Sequence, residues 1–218
     1  MRSARPTARN AARDLAQIAV FAGLIAALGV PGGLQFPWMP APITFQTLGV
    51  MLAGAILGFR KGSLAVVLFL VLVAAGLPLL AGGRGGIAYL TTAPSAGYAW
   101  GFLVGAAFIG YFTERMLPNY VFWKGLIITA IGGIVLIYAV GIPVTALNTD
   151  LTLWAAATRA VVYLPGDLIK VLVTVIVAQQ VHRAYPGLIG GPRRSKGDAD
   201  PGATTDSSTD RDPVTRDA

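Results

Sequence analysis

Long uncharged apolar stretches fill most of the chain, separated by short connections, and polar residues fall almost entirely at their ends. The first stretch, residues 15–30, follows a polar segment, residues 1–13, that carries Arg2, Arg5, Arg9 and Arg13. It is too long for the apolar core of a secretory signal and ends in no clear small-residue cleavage site. It therefore predicts a first membrane span with a cytoplasmic N-terminus. Residues 45–59 and 63–76 predict a second and a third span, joined by a tight basic turn at Arg60-Lys61-Gly62. Both are short against the roughly 20 residues that cross a hydrocarbon core. Residues 95–116 and 120–140 predict the fourth and fifth, connected through Pro118-Asn119, and Gly141-Ile142-Pro143 ends the fifth. Residues 151–164 are helix-compatible and need not span, and residues 165–182 form the last span.

The connections are unusual. Residues 31–44 cannot be helical throughout, because prolines recur. They predict a loop able to fold over a pocket. Thr44 can cap the next helix. Gln46, in its first turn, is either a solvated helix start or a hydrogen-bonding group on a pocket rim. Leu77-Pro78 stops the third span, and residues 79–94 then hold Gly82-Gly83-Arg84-Gly85-Gly86. Such a backbone is either a flexible turn or one that approaches a ligand and offers its own N–H groups. It lacks the Gly-Lys-Ser/Thr and the preceding strand of a phosphate-binding loop, which argues against an ATP site. Tyr98 and Trp100 stand where an aromatic belt would put them, and Tyr98 can equally wall a ligand. Small residues recur four apart at Ala19-Gly23-Ala27 and Ala22-Ala26. That pattern serves close packing within the monomer or a docking face for a partner. Gly54, Gly58 and Gly62 repeat the spacing in the second span.

One stretch breaks the apolar pattern with charge: Leu164-Pro165-Gly166-Asp167-Leu168-Ile169-Lys170. A carboxylate and an ammonium in or near a membrane segment are costly unless paired or put to use. Pro165 suits a first helical position. Asp167 then lies in the first turn, where the helix dipole favours an anion, with Lys170 a turn further on the same face. The alternative, a single helix through residues 151–182 kinked at Pro165, puts a Pro-Gly pair in mid-helix and is disfavoured. Asp167 and Lys170 either pair with each other or form the polar end of a small-molecule pocket.

Composition sharpens this picture. The chain is 55% hydrophobic and only 12% charged, against about 25% charge in ordinary soluble domains. That defines an all-α polytopic membrane protein of about six transmembrane helices. There is no cysteine, and the only histidine, His182, ends the last apolar run. No thiolate or histidine metal site inside the membrane follows. The net charge of +7 sits on flanks of apolar spans, where lipid head groups rather than nucleic acid explain it. With both termini inside, Arg60, Lys61, Arg115, Lys124 and Arg183 join the N-terminal arginines on the cytoplasmic side, leaving Arg84 and Arg159 outside. The irregular loops and Pro165-Gly166-Asp167 then converge on the external face. The chain divides into a basic N-terminus (1–13), a membrane domain (14–183) and a disordered tail (184–218).

Several of these stretches together resemble the BioY family: Pro42-Ile43-Thr44-Phe45-Gln46-Thr47-Leu48-Gly49, Gly76-Leu77-Pro78 followed by the Gly82–Gly86 loop, Gly97-Tyr98 with Gly101-Phe102, and Pro165 to Lys170. The resemblance covers residues 13–183. Before Gly97 the chain reads Pro94-Ser95-Ala96 where the family has Pro-Thr-Gly, and Arg84 stands at a variable position of its motif. The resemblance implies a substrate-binding S subunit of an energy-coupling-factor vitamin transporter, specific for biotin and embedded in a bacterial inner membrane. Its partners would be a scaffold membrane subunit and two ATPase subunits, although some family members are thought to act alone. It implies no enzyme activity and no resident cofactor. Biotin would be held by Asp167 against a ureido N–H and by Lys170 on the ureido carbonyl or the carboxylate. Tyr98, Phe45 and Tyr89 would be walls, with Thr44, Gln46, Gly83, Arg84 and Gly86 completing the site. Ala19, Ala22, Gly23 and Ala26 would dock the scaffold. The readings set against this are an S subunit for thiamine or riboflavin, an intramembrane enzyme built on Asp167, and a purely structural subunit.

Overall fold

The computed structural model describes residues 8–31, 37, 39 and 42–189. The predicted basic residues Arg2 and Arg5, the side chain of Arg9, most of the proline-rich loop and the tail from 190 onward lie outside them. The described residues are predominantly helical and form no strand. The helices are α1 (Ala8–Ala27), α2 (Gln46–Ala74), α3 (Ala88–Thr91), α4 (Ala96–Met116), α5 (Phe122–Ala130), α6 (Ile137–Leu147), α7 (Leu153–Ala160) and α8 (Leu164–Ala184). A π-helical turn, Ile131–Leu136, joins α5 to α6, and a 3-10 turn, Val161–Tyr163, joins α7 to α8. Among the described residues, four helical stretches are by length and composition apolar enough to cross a membrane: Gln46–Ala74, Ala96–Met116, Phe122–Leu147 and Leu153–Ala184.

The first of these doubles back on itself. Gly58 has φ 80 and ψ −170, a conformation that reverses the helix and that side chains resist. A Cβ on Gly62 would lie 2.6 Å from the carbonyl oxygen of Ala53, although nine residues of straight helix span about 13.5 Å. Gln46, at the start of α2, likewise bonds Leu79 and Ala81, just past its end. The second and third predicted spans therefore form a helical hairpin. Its reversal falls at Gly58, not at Arg60-Lys61-Gly62, which already belongs to the second leg. The first N–H of that leg, on Phe59, is capped by Glu114 Oε1 of α4 at 2.8 Å.

Two further expectations change. Gly141-Ile142-Pro143 does not end the fifth span, because α6 runs through Pro143 to Leu147. Gly141 instead seats a ring, since a Cβ there would come within 2.5 Å of Tyr98 Cδ1. The break before Pro165 is a single 3-10 turn, after which Pro165 stands in the first turn of α8. The helical stretch Leu153–Ala184 is thus continuous, nearer to the kinked single helix than to the two separate helices expected, and Asp167 lies about one turn past the 3-10 segment.

The core lies between the α2 hairpin, α4 and α1, around Ile25, Val50, Val66, Phe69, Phe102 and Ile137. Ala22 of α1 is buried in it, and Ala26 packs against it. Ala19 and Gly23 stay exposed, with nothing within 4 Å of a Cβ at Gly23. At the hairpin end of the molecule, Lys61 Nζ reaches Asp14 (3.2 Å), Gln17 (2.7 Å) and the Leu188 carbonyl (3.2 Å), tying three segments together.

Gly58→Ala is expected to lower stability by roughly 1–3 kcal/mol, because alanine resists this backbone conformation. Thermal unfolding in detergent measures it, and an unchanged melting temperature would show that the reversal does not need glycine.

Candidate functional site

At the end opposite the Gly58 reversal, Asp167 and Lys170 meet as the spacing requires. Both are buried, 3% and 7% exposed, in an otherwise apolar bundle. Lys170 Nζ donates to Asp167 Oδ1 (2.8 Å), to the Thr44 carbonyl (2.7 Å) and to Thr47 Oγ1 (3.0 Å). An ammonium has three protons, and all three are used. Thr47 also makes a long contact, 3.4 Å, with Asp167 Oδ1. Tyr138, one residue into α6, donates to Asp167 Oδ2 at 2.6 Å. The hydrogen bonds named here use three of the roughly four acceptor positions of a carboxylate, so Asp167 is the half of the pair with capacity left.

This cluster forms the floor of a recess with about 690 Å³ of atom-free space, its open mouth included. The walls are aromatic. Tyr98 stands edge-on to both Tyr138 and Tyr163, with centroids 6.1 and 6.2 Å apart. Phe102 lies beside them, and the Tyr98 hydroxyl is buried without a hydrogen bond. Pro42, Ile43 and Thr44 form one rim, and Leu80, Ala81, Arg84 and Ser95 form the other. Among the described residues no cluster of potential metal ligands occurs.

The glycine-rich loop is held by a latch. Gln46 is 2% exposed. Its Nε2 donates to the carbonyls of Leu79 (2.9 Å) and Ile25 (3.3 Å), and its Oε1 accepts from Ala81 N (3.0 Å). Gln46 is thus no solvated helix start. It lines the recess while its amide is spent on backbone. On the other side Asn148 holds the carbonyls of Thr91 and Ala93, and Thr145 holds that of Pro94.

Six of the residues singled out from sequence line the recess: Thr44, Gln46, Arg84, Tyr98, Asp167 and Lys170. Phe45 does not, being 54% exposed. Tyr89 borders an adjoining outer recess instead, under the Arg84 guanidinium. Gly83 and Gly86 adopt positive φ and shape the loop without lining the recess. Thr47, Phe102, Tyr138 and Tyr163 were not foreseen from sequence. Thr47 lies three residues after Thr44, and Tyr163 four before Asp167, so helical spacing carried a signal for both. Nothing local marked Tyr138, a hydroxyl in a wholly apolar run.

A multi-helix membrane protein with a polar pair at the floor of an aromatic recess is, as a class, a carrier-type binder of a small, partly apolar molecule. Residues 2–187 match the BioY family, and the chain belongs to it. It is 41% identical to the biotin transporter BioY of Rhizobium etli over 181 residues, 80% of this chain and 95% of that one. Against the biotin transporter BioY of Rhodobacter capsulatus it is 40% identical over 186 residues, 81% and 97% of the two chains. It also resembles a crystal structure of the S-component for biotin from an ECF-type ABC transporter. There the TM-score is 0.76 and the identity 31%, over 82% of this chain and 95% of the other.

Lys170→Met, which leaves the Asp167 carboxylate buried and unpaired, is expected to cost about 3–5 kcal/mol of stability. Adding Asp167→Asn to it should recover most of that loss, and thermal unfolding of the single and double variants tests the coupling.

Proposed function

We propose that this chain is the biotin-capturing S component of an energy-coupling-factor transporter in a bacterial inner membrane. It is a transport subunit rather than an enzyme. The observation that carries the reading is the Asp167 carboxylate, oriented by Lys170, Thr47 and Tyr138, at the floor of an aromatic recess. Biotin offers two ureido N–H donors, a ureido carbonyl, an apolar bicyclic body and a carboxylate. The free acceptor position on Asp167 Oδ2 suits a ureido N–H, a charge-assisted bond worth roughly 1.5–3 kcal/mol. The rings of Tyr98, Tyr138, Tyr163 and Phe102 suit the bicyclic body. The relatives named above are biotin transporters, which favours biotin over thiamine or riboflavin.

In this reading α1, the two legs of α2, α4, α5 with α6, and α7 with α8 make six passes. Both termini are cytoplasmic and the recess opens outward. The basic residues support that orientation, since Lys61 and Arg60 cluster at the hairpin end with Arg115. The chain has no ATP-binding motif, so energy comes from partners: a scaffold membrane subunit and two ATPase subunits. No resident cofactor is needed. The exposed line of Ala19 and Gly23 on α1 suits close approach of a scaffold helix, whereas Ala22 and Ala26 serve the chain's own core.

Equilibrium binding of biotin to the detergent-purified chain tests the reading. Asp167→Asn is expected to weaken binding by about 10-fold or more, since it replaces a charged acceptor. Unchanged affinity in that variant would remove Asp167 from the site, and no biotin binding by the folded wild type would reject the reading. Ala19→Leu and Gly23→Leu should spare biotin binding and reduce co-purification with the scaffold subunit. Intact assembly in both would move the docking face elsewhere.

A further inference from the structure

The floor of the recess is electrically closed. Every proton of the Lys170 ammonium has an acceptor within the protein, and Asp167 cancels its charge. A ligand carboxylate, ionised at neutral pH because carboxyl pKa values lie near 4, finds no unspent cation there. It would instead meet the negative side of the pair.

Unspent cations lie further out. A second, more open recess, with about 840 Å³ of atom-free space counting the solvent at its mouth, adjoins the first and shares Arg84 and Ser95 with it. Arg84 Nε donates to the Ala81 carbonyl at 2.8 Å, and its guanidinium carbon stands 5.8 Å from the Tyr89 ring centroid. Its terminal nitrogens make no hydrogen bond among the described residues. Arg159, in the last turn of α7, borders the same recess and has no hydrogen bond or ion pair among the described residues. The single acid on the lining is Asp150, which is exposed and likewise unpaired. Two arginines around one recess repel each other, and a bound anion relieves that cost. They also run against the preference for basic residues on the cytoplasmic side, so their position calls for a use.

We propose that Arg84 and Arg159 together receive the carboxylate of the ligand in this outer recess. The inference rests on the biotin reading. It fixes the ligand's direction: the ureido ring at Asp167, the acid chain leading outward past Arg84, and Lys170 an organiser of the floor rather than the carboxylate's partner. A planar guanidinium suits a carboxylate, which it can grip through two parallel N–H bonds.

The test compares equilibrium binding of biotin and of its neutral primary amide to the full chain in detergent. The expected result is that wild type prefers the acid by about 10-fold or more, the range of charge-assisted contacts. Arg84→Ala/Arg159→Ala should weaken binding of the acid much more than that of the amide and so lose the preference for the acid. Arg84→Lys/Arg159→Lys should retain part of that preference. If the alanine pair keeps the preference, the carboxylate is held elsewhere and the assignment is overturned. It is equally overturned if wild type shows no preference, or if the alanine pair loses both ligands while the lysine pair is also unable to tell acid from amide. Failure of folded wild type to bind either compound would instead reject the biotin reading itself.

Discussion

An ammonium ion inside an apolar helical bundle must find three acceptors or cost several kcal/mol, and satisfying Lys170 organises one end of this molecule. Its acceptors come from separate places: the backbone of Thr44 before α2, the hydroxyl of Thr47 in the first turn of α2, and Asp167 on its own helix. Asp167 in turn draws in Tyr138 from α6. Three helices are thus brought into register by one charge. The result is a polar cluster whose geometry is set by bonds within the protein itself.

Around that fixed floor the structure builds walls by different means. Gln46 bonds the end of α1 and the Leu79–Ala81 backbone to the start of α2. Asn148 and Thr145 hold the segment before α4. The segment from Leu79 to Pro94 is therefore framed by buried Gln46 and Thr145 and half-buried Asn148, and the loop glycines give the backbone its turns. In apolar surroundings each such polar bond is expensive to leave unmade, which is why few residues suffice to hold the loop.

How much of this was legible in the sequence depended on whether a residue's role was local. Asp167 and Lys170 were legible because a charged pair at helical spacing has few alternatives in an apolar chain. The apolar stretches themselves were legible for the same compositional reason. The site of the α2 reversal was not: Arg60 and Lys61 look like a turn, yet Gly58 adopts the positive φ, and the lysine is spent tying Asp14, Gln17 and Leu188 together. Pro143 reads as a helix stop, yet α6 runs through it to Leu147 at the loss of one backbone hydrogen bond. Gln46 and Tyr138 depend wholly on what lies across from them, a carbonyl at residue 79 and a carboxylate at residue 167, and no spacing rule reaches that far.

The π-helical turn Ile131–Leu136 adds a different kind of constraint. Such a turn amounts to one extra residue, so the helix beyond it is out of phase by about 100° with the helix before it. Within the turn, Gly132 and Gly133 stand close to Ile109 and Met51; after it, Ile137 and Tyr138 face the recess. One span therefore carries two angular alignments, one on each side of the turn. Removing that extra residue would rotate Tyr138 by about 100° and carry its hydroxyl away from Asp167.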